Sequence, residues 1–585
     1  MGKCCCLVFI AIVALVVGGV SIGVPLALNA VKEKVNDLLG DGAVNNACQA
    51  TSYPATCNQT LAGGNYTADT GGVTRHSLRM AESGVNATLE SVLHLNSTNP
   101  NVTAAADVCV EALSLCKDEL EAASATLLSS DLAARRQALD DLKAWVSAAL
   151  ELHTTCIDAV LEVSPSDRVH LQQVSTHTDQ LLSNALAFIN ALAAYGDDLL
   201  AWRPTGFSLP DGMDLSHLPK IPGLRNRRLL SHPTTPDDRH SLPDWVSETD
   251  SPPRWMDSQT QRRLLTMPPT SYDVVVAKDG SGNYTTIQDA VDAHSENFVR
   301  LTIYIKAGVY NEQVIVPKTA KFLTFIGDGD RTVITGSRNV ALMAGMTTYR
   351  SATLIVSGRG FIGRSFKVEN TAGALGHQAV AFRGTADKIA MYQVTFDGYQ
   401  DTLYAHSYRQ YYRECTISGT VDFIFGNAAA SFQSCKIIAK QTTLLGQRNT
   451  YSAQGRTDAH QSTGLSFQNC LFDATPEVKS NTTFYKTYLG RPWKAYSVCV
   501  IMKSELMDHI DSTGWLPWNT TDFGLHTSFF GEYHNYGPGS SYNSSRVPWS
   551  HQISSGSTAD EYQAINFIRA RKWVTGYDIP LTESL

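Results

Sequence analysis

Between residues 366 and 473 one degenerate phrase returns five times: FKVEN at 366, YQVTFDG at 392, YRECTISG at 412, FQSCKII at 432 and FQNCLFD at 467. The intervals are 26, 20, 20 and 35 residues. Each phrase is rich in β-branched and aromatic side chains and reads as a strand. A strand that recurs at roughly 20 to 25 residues, with longer excursions inserted, is what a parallel β-helix produces as each coil stacks on the last. A propeller would repeat at about 40 to 45 residues, and a sandwich would join consecutive strands by hairpin turns; two successive intervals of 20 suit neither. Similar runs begin after Tyr272, in LTIYIKAGVY (301–310), FLTFIGDG (322–329) and TLIVSG (353–358). Residues 266–585 are therefore expected to form an all-β domain, a parallel β-helix whose equivalent positions lie about 4.8 Å apart.

That register turns scattered polar residues into a ladder. Gln378 and Gln400 are separated by 22 residues, and Asp401 and Asp422 by 21, about one coil each. Two carboxylates on adjacent coils, roughly 5 Å apart, repel by about 3 kcal/mol at an effective dielectric near 20, or about two pKa units. Such a pair does not ionise together near neutral pH, which suits one nucleophile and one proton donor. Isolated Asp residues in turns are usually caps for backbone N–H groups, but here that reading must hold on every rung at once. Cys415, Cys435 and Cys470 also share a register; Cys415 to Cys435 is the expected bridge, with Cys435 to Cys470 left open.

The N-terminal half has a different texture. Residues 43–205 are rich in Ala and Leu with helical spacing, clear in CVEALSLCKDELEAASATLL (109–128), and read as an all-α bundle. Cys48 and Cys57 flank Tyr53-Pro54, while Cys116 and Cys156 fall on successive long helices. Residues 206–265 form a proline-rich linker in which Arg227-Arg228-Leu229-Leu230 recurs as Arg262-Arg263-Leu264-Leu265, paired basic residues accessible to a processing protease. Within residues 1–30, Leu7 to Leu28 carries no charge and follows Lys3. As a helix it would span about 33 Å, so it is read as a signal anchor or signal peptide that sends the rest of the chain into the secretory pathway. Nine Asn-x-Ser/Thr sequons, from Asn58 to Asn543, agree with that route. Of the formal charge of −8, residues 1–265 carry −10 and residues 266–585 carry +2. A near-neutral C-terminal half is compatible with a polyanionic substrate, and nothing points to nucleic acid.

Four blocks then stand out: GHQAVAFRG (376–384), GYQDTLYAHSYRQYY (398–412), SGTVDFIFGNAAA (418–430) and YLGRPWKAYS (488–497). They resemble the plant pectin methylesterases (pectinesterases), a likeness that runs from about Tyr272 to Trp573, and residues 43–205 resemble the pectin methylesterase inhibitor domain. The resemblance implies a right-handed parallel β-helix preceded by a four-helix bundle with bridges Cys48–Cys57 and Cys116–Cys156. It implies hydrolysis of methyl esters of homogalacturonan to carboxylates and methanol through an aspartyl acyl-enzyme, in the plant cell wall and without a cofactor or metal. Asp422 becomes the nucleophile, Asp401 the acid and base, Gln378 and Gln400 the oxyanion donors, and Arg491 the group that orients Asp422 and contacts substrate. Tyr404, Phe425, Trp493 and Trp515 become aromatic walls of the sugar groove, and Thr348 in MTTYRSATL a further substrate contact. Spacing alone allows either order of acid and nucleophile. The bundle is expected to inhibit or chaperone the enzyme until cleavage at the dibasic motifs, so inhibitor proteins and a processing protease are implied partners, and the membrane only through the N-terminal segment. A glycosidase with more widely spaced carboxylates, a Ca²⁺-assisted lyase and a purely inhibitory binding module are the competing functions.

Overall fold

The computed structural model describes residues 47–196 and 272–585, apart from short stretches within each. The uncharged run Leu7 to Leu28 and both Arg-Arg-Leu-Leu motifs lie outside the described residues. Among the described residues no helix is long and apolar enough to cross a membrane.

The helical half opens with a short helix, α1 (Pro54–Leu61), whose proline sits in the first turn, where a missing N–H has no intrahelical partner to lose. Four long helices follow: α2 (Thr70–Leu93), α3 (Pro100–Leu127), α4 (Leu132–Leu161) and α5 (Arg168–Tyr195). Asp69 caps α2, its carboxylate accepting from the Gly72 N–H at 2.6 Å. Helices α2 and α4 each pack on both α3 and α5, closing a four-helix bundle around Leu78, Val85, Leu120, Leu152 and Leu186. Cys48 and Cys57 are bridged, as expected. The second bridge joins Cys109 to Cys156, with Cα atoms 4.2 Å apart, and Cys116 is a buried free thiol. This corrects the Cys116–Cys156 expectation. Cys109 and Cys116 lie two turns apart on one face of α3, so helical spacing does not choose between them, but the rise of about 10 Å over seven residues leaves only one within reach.

Residues 272–585 wind into three long parallel sheets of eleven, eight and seven strands, to which the central coils contribute one strand each in turn. The recurring phrase occupies equivalent places: Tyr412 pairs with Phe432 and Phe432 with Phe467. Their rings stack inside the coil at 4.5 and 4.7 Å, close to the spacing between strands. From residue 365 onward one corner of successive coils is turned by a left-handed residue, at Ser365, Gln393, Glu414, Ser434, Asn469, Lys503 and His534, with φ between 45° and 56°. The strain of about 1 kcal/mol at each is offset because the N–H of each from Ser365 to Lys503 donates to a carbonyl of the next coil. Phe432→Ala, which opens the middle of the aromatic stack, is expected to lower the stability of the β-helix by about 3–5 kcal/mol, seen as a reduced urea midpoint.

The cysteines follow the same geometry and overturn a second expectation. Cys415, Cys435 and Cys470 stack on successive coils but remain free buried thiols, as does Cys499. In-register parallel strands hold equivalent Cβ atoms side by side at about the 4.8 Å strand spacing, wider than the roughly 3.8 Å a bridge prefers. Cys415, Cys435 and Cys470 each donate instead to a carbonyl of the preceding coil, Cys435 to that of Tyr412 at 3.5 Å, and Cys499 meets the Ser452 hydroxyl at 3.4 Å.

Candidate active site

The seven-stranded sheet carries the site. Its strands are β1 (Val314–Val316), β2 (Leu354–Val356), β3 (Phe382–Thr385), β4 (Leu403–Ser407), β5 (Ile424–Gly426), β6 (Ser452–Gln454) and β7 (Arg491–Pro492). Leu354, Phe382, Leu403 and Ile424 point into the coil core. By the alternation of a strand the next residues face outward, and the register lines up Ile355, Arg383, Tyr404, Phe425, Ala453 and Arg491 in one row. Just before β4 and β5 the chain turns through left-handed residues, Asp401 at φ 64° and Asp422 at φ 51°. The short polar side chain of Asp can hydrogen-bond locally, which eases that conformation. The Asp401 N–H donates to the Val421 carbonyl at 3.0 Å, stacking its turn directly on that of Asp422.

Asp422 is locked in place. Arg491 Nε donates to its Oδ1 at 2.8 Å and Nη2 to its Oδ2 at 2.6 Å, a bidentate pair. Thr450 Oγ1 donates to Oδ1 at 2.6 Å and accepts from the Asp422 N–H at 2.8 Å. Burial pulls the Arg491 pKa down, but Asp422 and then Asp401 push harder and leave it raised, so one guanidinium faces both carboxylates. The sequence arithmetic counted two anions and no cation; Arg491 supplies the missing charge and reduces their repulsion. Trp518 covers it, with the guanidinium carbon 4.4 Å from the ring. Thr450→Val keeps shape and removes both hydroxyl contacts; it is expected to lower kcat about 10-fold in a methanol-release assay.

The remaining expected residues are distributed as follows. Gln378 and Gln400 are half-buried in stacked turns, the Gln400 carbonyl accepting from the Ala379 N–H at 3.2 Å. Thr348 begins a single turn of helix, Thr348–Arg350. Tyr404 stacks on Phe425 at 4.1 Å and Trp493 meets Phe425 edge-on at 6.0 Å, forming one aromatic wall. Gly455 makes room for it, since a Cβ there would sit 2.7 Å from the Trp493 ring. Trp515 is not part of this wall. It is fully buried in the coil core against Phe530, with its indole N–H on the buried Glu532 carboxylate at 3.1 Å. Trp518, three residues on in the same Gly-Trp-Leu-Pro-Trp run, is the ring that reaches the site, over the Arg491 guanidinium; nothing in that run distinguishes the two rings.

The bundle packs on this face. Tyr404, Phe425 and Trp493 share an apolar cluster with Leu113, Leu120 and Leu152 of the helices. Around them Glu151 accepts from Asn427 Nδ2 at 2.7 Å, Thr155 Oγ1 pairs with His406 Nε2 at 2.8 Å and Lys494 holds Asp158 at 2.7 Å. Burial pushes the Glu151 carboxyl up to about 8, against the Asn427 hydrogen bond and the charge of Lys494. Burial, with Arg383 nearby, keeps His406 well below its ordinary value. Further ion pairs across the contact join Lys318 to Asp118, Arg409 to Asp141 and Lys572 to Asp140. Among the described residues no group of His, Cys, Asp or Glu could hold a metal ion.

Residues 273–571 match the pectinesterase family and residues 42–188 the plant invertase/pectin methylesterase inhibitor family. A probable pectinesterase/pectinesterase inhibitor of Arabidopsis thaliana is 34% identical over 93% of this chain and 76% of its own length. Pectinesterase 3 of Citrus sinensis is 36% identical over 93% of this chain and 88% of its own. Among solved structures, the pectin methylesterase from carrot is 44% identical; the match covers 55% of this chain and 100% of that one, with a TM-score of 0.53. The share of this chain that is covered is about the length of the β-helix, and residues 272–585 have a hydrophobic core of their own. The chain belongs to the pectinesterase family: it is a pectin methylesterase whose parallel β-helix is preceded by a helical region of the plant invertase/pectin methylesterase inhibitor family.

Proposed function

We propose that Asp422 attacks the C6 carbonyl of a methyl-esterified galacturonate and forms an aspartyl acyl-enzyme. The observation that carries this is the bidentate Arg491 pair, which holds and orients one carboxylate of the stacked two. Oδ1 accepts from both Arg491 and Thr450, whereas Oδ2 accepts only from Arg491, leaving Oδ2 with a lone pair for attack. The side-chain amides of Gln378 and Gln400 donate to the oxyanion as the C6 oxygen gains charge. As the tetrahedral centre collapses the C6–OCH₃ bond breaks, and Asp401 gives its proton to the departing methoxide. Water then loses a proton to Asp401 and adds to the acyl carbon, Asp422 leaves as a carboxylate, and the sugar is released as a free acid. Tyr404, Phe425 and Trp493 form the aromatic wall for the polymer.

The bundle acts as a cover on this groove until processing in residues 206–265 releases it, in a protein exported to the cell wall. The contact of the helices with Tyr404, Phe425 and Trp493 supports the cover, and two disulfides in the bundle suit an oxidising compartment. The full chain is expected to release methanol from methylated pectin at least about 100-fold more slowly than residues 266–585 at equal concentration, the rate equivalent of about 2.7 kcal/mol of docking. Equal rates would remove the covering role.

A further inference from the structure

The apolar row inside the coil ends on a charge. Tyr412 pairs with Phe432, Phe432 with Phe467, Phe467 with Ile501 and Ile501 with Glu532. Glu532 therefore takes the inward position that aromatic and aliphatic side chains fill in the four coils before it, and its side chain is only 4% exposed. A carboxyl group there is costly unless every partner is in place, and they are. Arg546 Nε donates to Oε1 at 3.1 Å and Nη2 to Oε2 at 3.2 Å, while the Trp515 indole N–H donates to Oε1 at 3.1 Å. The other Arg546 hydrogens hold backbone, Nη1 the Ser512 carbonyl at 3.1 Å and Nη2 the Gly539 carbonyl at 2.8 Å. Gly514, at φ 72°, lets the chain pass this close, since a Cβ there would lie 2.7 Å from Arg546 Cδ.

The run fixed in this way, residues 512–518, supports Arg491 from two sides. The Leu489 N–H donates to the Gly514 carbonyl at 2.8 Å and the Leu516 N–H to the Gly490 carbonyl at 3.0 Å, so the two residues before Arg491 are tied to it. At its far end Trp518 lies over the Arg491 guanidinium. Arg491 has to present Nε and Nη2 to Asp422 at once, a geometry that a small displacement of its backbone spoils. Stability alone does not account for the buried pair, because apolar side chains of like volume often serve as well or better. What Glu532 and Arg546 add is direction: a forked pair dictates where residues 512–516 run, and apolar contact does not.

We infer that Glu532, together with Arg546, is a positioning residue of the reaction: from inside the coil it sets the path of residues 512–518 and, through that path, the backbone and the ring that hold Arg491 on Asp422. The inference rests on the role of Arg491 in the proposed mechanism.

The test is a double-mutant cycle in methanol release, using the enzyme freed from the full chain by cleavage within residues 206–265. Glu532→Gln keeps the volume and an acceptor for Trp515 and removes the charge that faces Arg546. It is expected to lower kcat about 10-fold while KM changes less than about 2-fold. On an Arg491→Lys background the same substitution is expected to lower kcat less than about 2-fold, because the geometry it guards is already lost. A loss that came only from less folded enzyme would instead multiply the Arg491→Lys loss in full. Arg546→Lys, which keeps the charge without the fork, should repeat the pattern and decides the question if Glu532→Gln does not fold. Equal factors on the two backgrounds, or unchanged kcat in both Glu532→Gln and Arg546→Lys, would overturn the inference and leave the pair as a brace of the coil end. Failure of the role given to Arg491 would show separately, as undiminished kcat in Arg491→Lys alone.

Discussion

Asp422→Ala in residues 266–585 is expected to lower kcat for methanol release by about 10⁴-fold or more, with a much smaller change in KM. The size follows from the role: removing a nucleophile abolishes the covalent route and leaves only the binding and oxyanion contributions over water. The truncation also strands Arg491 and Thr450, which lose their shared acceptor. Asp422→Asn separates the two effects because it fills the space and accepts hydrogen bonds without the charge, and it should be almost as inactive while melting near the unsubstituted temperature. Asp401→Ala should lose a comparable factor, since neither methoxide departure nor water activation has another proton carrier in this scheme. Additivity is not expected, because the two residues act in one sequence of steps.

The covering of the groove should depend on pH in a direction that Glu151 decides. Its carboxyl is buried against Asn427, with Lys494, Asp158 and Tyr404 as the charged or titratable groups around it, and burial raises it from 4.5 to about 8. A carboxyl raised on docking stabilises the docked state fully below its undocked value, and that stability is lost as pH rises through the docked value. His406 works in the opposite sense: it is held neutral when docked, so docking is opposed below its ordinary value of 6.5. The two offset each other in acid, and between pH 6.5 and 8 only Glu151 titrates. The ratio of full-chain to released-enzyme activity should therefore climb by up to about 30-fold over that interval. Glu151→Gln, whose amide oxygen still accepts from Asn427, should flatten the ratio. A ratio that falls with pH, or one that Glu151→Gln leaves unchanged, would remove Glu151 from this role.

The parts of the structure that depend on one-dimensional repetition are legible in the sequence. Tyr412, Phe432 and Phe467 stack as their shared phrase requires, and Asp401 and Asp422 sit in stacked turns. What spacing could not resolve were choices between chemically equal candidates. Cys109 and Cys116 present the same helical face, and Trp515 and Trp518 share one short run, so reach and direction, which only the backbone path defines, separated them. Thr450 escaped notice because an excursion places it 28 residues after Asp422 in place of about 20, out of the visible period. Register also misled once: it brought Cys415 and Cys435 together correctly but does not carry the geometry of a bridge.

The most direct test of the whole account is product analysis of methylated homogalacturonan treated with purified residues 266–585. Methanol should appear in step with new carboxylates while the polymer keeps its length, and Asp422→Asn should release none above background. New reducing ends, unsaturated uronides, or methanol release that survives Asp422→Asn would contradict it.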